Sequence, residues 1–152
     1  MRLAGGRFVR IFQWIAPVLL PLLVLFGRGL VGAPMGWMTL IGIFVVPFVV
    51  VLMYVPPIIV VFDRDAKAVR STRLLYSVAS WVMWAALLVM MFTLVDGGDQ
   101  PPFGSAVSAW GWMSSDASAG IFAVAFLLAV LGWVGALITA VIGVVESRRT
   151  RR

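Results

Sequence analysis

Two carboxylates one residue apart, Asp63 and Asp65, stand in the stretch FDRDAKAVRSTR (62–73), beside Arg64, Lys67, Arg70 and Arg73. A D-x-D pair is the residue chemistry of a divalent metal or a metal-bound phosphate. A complete site would need further acids or a bound phosphate, and this stretch offers neither. Arg70 and Arg73 are near enough in sequence to neutralise the carboxylates. The plainer reading is a polar turn in which Asp63 or Asp65 caps a helix starting near Ala66. The functional alternative is a docking surface for a partner, carried by Arg64, Lys67, Arg70 and Arg73.

A second candidate lies near the start. Pro17 and Pro21 are four residues apart on one helical face. Each removes a backbone donor, which strands the carbonyls of Gln13 and Pro17. Gln13 is the only strongly polar side chain between Arg10 and Arg28. Such a broken helix, with Pro47 in the next apolar tract, could line a path for a solute or cation. The alternative is a packing kink, since proline is common in membrane helices. The kink is favoured, because apart from Arg10 near the start of the first tract no Asp, Glu, Lys or Arg lies inside an apolar tract, and coupled transporters usually need one.

Other chemistry is limited by what is missing. The chain has no Cys and no His. That removes thiol chemistry, disulfides, the commonest metal ligand and imidazole as a base. Asp96, Asp99 and Asp116 match no calcium-loop spacing and read as turn residues and helix caps. No nucleophile–base pair or phosphate-binding glycine motif is present. The expectation is a protein that is not an enzyme and carries no cofactor or metal.

The elements that position these residues are legible from hydropathy. Of 152 residues, 62% are hydrophobic and 12% charged, where a soluble domain carries about 25% charged. Mean hydropathy is +1.08. Four apolar tracts run at about 8–26, 37–62, 74–95 and 119–145. Each is long enough, or nearly so, to cross a hydrocarbon layer of about 30 Å as a helix. Helices satisfy their own backbone in lipid. The fold class expected is an all-α integral membrane protein, one domain of four transmembrane helices. The N-terminal tract could be mistaken for a cleaved signal peptide, but Pro34 would follow the cleavage point, so a retained helix is expected.

Orientation follows from the 12 basic residues, 11 of them Arg. All but Arg28 fall in the N-terminal segment, the loop 63–73 or the tail. The positive-inside rule then places both termini and loop 63–73 in the cytoplasm and loop 96–118 outside. The middle of that outer loop, Phe103 to Met113, could form a short interfacial helix, with Trp37, Trp110 and Trp112 in an aromatic belt. The net charge of +6 would suggest nucleic acid in a soluble protein, but here it reads as topology and attraction to anionic lipid. The Arg, Ala, Val and Gly content suggests a GC-rich bacterial genome, hence the bacterial inner membrane.

The fourth tract carries Ala125, Ala129, Gly132, Ala136, Ala140 and Gly143 at helical spacing. A face of small residues lets two helices approach closely in lipid. Its partner is either another helix of this chain or another subunit. Together these features suggest a non-catalytic accessory, assembly or stabilising subunit of a larger membrane complex, with other integral membrane subunits and lipid as partners. The alternative is a small homo-oligomeric channel or transporter lined by the two proline-bearing helices.

Overall fold

The computed structural model describes residues 5–99 and 103–149. Among them the chain is all-helical, with one isolated backbone bridge between Asp96 and Gly104. The helices are α1 Gly5–Phe12, α2 Ala16–Leu22, α3 Arg28–Leu30, α4 Trp37–Val60, α5 Arg64–Ala68, α6 Leu74–Thr93, α7 Ala106–Ala109 and α8 Ser115–Arg149. A π-helical turn, Leu23–Gly27, joins α2 to α3. Helices α4, α6 and α8 are each long and apolar enough to cross a membrane, and the first tract adds a fourth crossing if its bent pair is one span.

That first tract is not the single helix expected over 8–26. It bends by 71° between Gly6–Phe12 and Ala16–Leu30. Pro17 is the reason. It has no N–H to continue α1, but at the start of α2 its missing donor costs nothing. The chain therefore tightens through Gln13–Ile15, with Trp14 N–H bonding Ile11 O and Ile15 N–H bonding Phe12 O. It then restarts as α2. At about 1.5 Å per residue, Ala16–Leu30 reaches roughly 22 Å, short of a full hydrocarbon layer.

The helices form a ring. The α2–π-turn unit packs on α4 and α6, α4 packs on α8, and α8 closes on α6. The α6–α8 contact is the most extensive, and the small face of α8 makes it. Ala125, Ala129, Gly132, Ala136, Ala140 and Gly143 are all buried. A Cβ added at Gly132 would lie 2.8 Å from the Met83 nitrogen, so the two backbones already touch there. The small-residue partner is thus α6 of the same chain. Met83, Trp84, Leu87 and Met90 of α6 fill the core with Leu20, Met53 and Tyr76.

Helix α1 lies against α6 through aromatic rings. Phe8 stacks on Trp81 at 5.4 Å, and Phe12 meets Trp84 edge-on at 4.8 Å. These two Trp rings, deep for a belt position, therefore seal a helix–helix contact. The loop after α6 holds a short helix inside the expected stretch 103–113. Its helix α7 is one turn, capped by Ser105, with Ala106 and Val107 buried, and it packs on α6 and α8.

Candidate functional site

The bundle has two polar ends. One gathers α1, the stretch 61–73 and the C-terminal part of α8. The other gathers the α3–α4 connection, residues 94–99 and 103–110, and the start of α8.

At the first end the D-x-D stretch folds as a capped turn. Asp63 Oδ1 accepts from the N–H groups of Asp65 (3.1 Å) and Ala66 (3.3 Å), which caps α5. Asp63 Oδ2 accepts from Arg73 Nε at 2.7 Å. Arg73 also reaches Asp65 at 3.5 Å, the Glu146 carboxylate, and the Gly143 carbonyl at 3.2 Å. The hydrogen bond to Asp63 holds the Arg73 guanidinium above its already high ordinary value. One arginine thus holds all three acids of this end. A Cβ at Gly143 would sit 2.5 Å from Asp63 Oδ2, so the last small residue of the α8 face is what admits the network.

Arg73 is therefore a scaffold residue and a poor candidate for docking. Arg64, Lys67 and Arg70 are exposed, and they and Arg7 pair with no carboxylate among the described residues. Arg70 has φ 49°, the left-handed region. Its N–H bonds Lys67 O, and the Ser71 N–H bonds Ala66 O. That is a Schellman closure of α5, with arginine where glycine is usual.

Gln13, Pro17, Pro21 and Pro47 do not converge on one path. Gln13 is buried. Its Nε2 donates to Arg10 O at 3.1 Å, and its Oε1 accepts from Tyr76 Oη at 2.9 Å. The amide fills the carbonyl that the break removes from the helix ladder. Tyr54 Oη donates to Trp14 O at 3.0 Å, on the other side of the break. Pro17 and Pro21 are buried and Pro47 is exposed. A cavity of about 110 Å³ opens beside the break, lined by Arg10, Gln13, Trp14, Val60 and Lys67 among others.

The opposite end holds a feature the residue types alone do not reveal. Asp96 is buried and reaches the start of α4. It accepts from the N–H groups of Gly36 (2.9 Å), Met38 (3.0 Å) and Thr39 (3.1 Å), from Thr39 Oγ1 (2.8 Å) and from the Gly97 N–H (2.8 Å). Burial pushes the carboxyl up, but the bonds to Gly36, Met38, Thr39 and Gly97 outweigh it, and the group lies below its ordinary value. Arg28 Nη2 lies 3.7 Å from Asp96 Oδ2, with both side chains buried, and donates to Pro34 O. Arg28 Nε and Nη1 have no partner among the described residues. A signal for this cap existed. The segment PMGW (34–37) opens α4 without Ser, Thr, Asp or Asn at the cap, so its free N–H groups needed an acceptor from elsewhere.

Around Asp96 the loop is stitched. Trp37 Nε1 donates to Asp99 at 2.8 Å, and Trp110 Nε1 donates to Val31 O at 3.1 Å. Ser118 Oγ donates to Thr93 O at 2.9 Å and contacts Ser105 Oγ at 2.7 Å. The acids expected as turn and cap residues thus include a long-range cap. Among the described residues no cluster of acids is arranged to hold a metal ion. No protein-family model, curated protein or solved structure matches this chain, so its function is read from these contacts.

Proposed function

We propose that this chain is a non-catalytic accessory, assembly or stabilising subunit of a larger bacterial membrane complex. It sits in the inner membrane, crosses it four times and keeps both termini in the cytoplasm. The observation that carries this reading is the occupancy of its polar groups. Gln13, Arg73, Asp63 and Asp96 are each spent on joining one helix to another. Groups that brace a scaffold in this way leave little for a reaction or a path. The cytoplasmic assignment rests on the positive-inside rule. The end with Arg7, Arg10, Arg64, Lys67 and Arg70 carries unbalanced charge, while the lone basic residue of the opposite end, Arg28, is buried beside Asp96. Its partners are other integral membrane subunits, met through the exposed apolar faces of α4 and α8 or through Arg64, Lys67 and Arg70, and anionic lipid at the basic face.

Gentle native purification from the source membrane tests this. Co-purification of stoichiometric membrane subunits is expected. A chain that emerges alone, as a monomer or homodimer, removes the proposal.

A second reading is a small homo-oligomeric channel or transporter. The cavity beside Gln13 at the break of the first tract favours it. Purified protein in liposomes would then move a solute unaided, and Gln13→Ala would impair it.

A further inference from the structure

An open groove of about 630 Å³ lies between α1 and the end of α5, lined by Arg7, Arg10, Ile11, Ala68, Val69 and Arg70. We propose that it is a binding site for the headgroup of an anionic phospholipid, with Arg7, Arg10 and Arg70 on the phosphodiester and Ile11 and Val69 against the upper acyl chain. The proposal deepens, and rests on, the placement of this end at the cytoplasmic surface of a membrane.

Three observations carry it. First, the charge is unbalanced by construction. Arg73 holds Asp63, Asp65 and Glu146, so Arg7 and Arg70 face the groove with no carboxylate partner among the described residues. Second, Arg70 occupies a position whose backbone favours glycine. A non-glycine residue at φ 49° is held against its own preference, and such strain persists where a side chain is needed in one direction. Third, the groove is amphipathic in the right order. Ile11 and Val69 are exposed beside the cations, and Phe8, Trp14 and Ile15 continue an exposed apolar surface along the first tract. A free phosphate would have no use for that surface, whereas a lipid presents a phosphate above an acyl chain.

The strain at Arg70 also makes a clean test possible. Glycine should suit the Schellman position at least as well as arginine, so Arg70→Gly removes the charge without harming the fold. The full chain is purified in detergent, and lipid adducts are counted by native mass spectrometry with phosphatidylglycerol or phosphatidylcholine. Wild type should retain phosphatidylglycerol over phosphatidylcholine by at least roughly thirtyfold, the scale of two interfacial cations at about 1 kcal/mol each. Arg7→Gln with Arg70→Gly leaves only Arg10 in the groove and should lower that ratio to a few-fold, while the melting temperature without lipid stays equal or rises. Arg148→Gln with Arg149→Gln removes the same charge outside the groove and should keep the preference. The site is overturned if the groove variant keeps the preference, or if the tail variant loses it equally. Competition by glycerol phosphate as strong as by the lipid would also overturn it. Alkaline extraction separates the two levels: a chain washed off the membrane sinks the placement itself, whereas a retained chain with no lipid preference sinks only the groove.

Discussion

Trp133 donates its indole N–H to the carbonyl of Leu52 at 2.9 Å. Leu52 is four residues before Pro56, so this is the carbonyl that Pro56 deprives of its helical donor. The carbonyl that a proline of α4 leaves without its helical donor is thus satisfied by a side chain from α8. Removing the donor should cost about 1 kcal/mol, the usual scale for such a bond in a membrane bundle. Trp133→Phe is expected to lose that amount in an unfolding titration in detergent. In a Pro56→Ala background, where the new residue supplies the missing backbone N–H, the same change should cost little beyond lost packing. Equal costs in both backgrounds would show that the bond contributes nothing.

The glycines of α8 make a contrasting pair. Gly132→Ala puts a methyl against the Met83 backbone and should cost about 1–3 kcal/mol as overpacking. A methyl at Gly120 would meet nothing within 4 Å. Gly120→Ala should therefore be neutral or gain up to about 1 kcal/mol of helix propensity. Thermal melts of the two variants check the order, which reverses if α8 packs on α6 through another face.

Asp96 should be the most sensitive acid in the chain. Asp96→Ala leaves the N–H groups of α4 without an acceptor and Arg28 without its counter-charge, a loss of about 3–5 kcal/mol. Arg28→Met with Asp96→Asn should recover part of it. The pH dependence follows from a depressed carboxyl. Its stabilisation is complete above the ordinary aspartate value of about 4 and fades as pH falls through the lower folded value. Melting temperature against pH, wild type beside Asp96→Asn, should show a steeper acid decline in wild type. Parallel curves would sink the assignment.

The loop 63–73 divides into scaffold and surface. Arg73→Glu should unfold or strongly destabilise the chain, since it places a fourth carboxylate beside Asp63, Asp65 and Glu146. Arg64→Glu with Lys67→Glu should leave the melting temperature within a few degrees, as exposed charges contribute little. If the latter variant also keeps its co-purifying subunits, docking does not run through this surface.

The helical composition, the apolar lengths and the small face of α8 were readable in the residues, because each depends on near neighbours along the chain. Hydropathy over about 20 residues is a local sum, and Ala125, Ala129, Gly132, Ala136, Ala140 and Gly143 share a face by helical period alone. The basic split was equally plain, since it needs only the order of Lys and Arg. Even the break at Pro17 was half visible: proline marks a missing bond, but residue type does not say whether the chain kinks or stops.

The tertiary structure decided who meets whom. It made α6 the partner of the small face, sent Gln13 to Tyr76 across 63 residues, and brought Asp96 to α4 across 57–60 residues. It also chose Arg73 over Arg70 as the partner of Asp63, and so turned Arg70 toward the groove. These outcomes have one physical cause. A stranded backbone group or buried charge announces a need in the sequence, but any donor or acceptor on any neighbouring helix can answer it. Only the order of helices around the ring selects which one does.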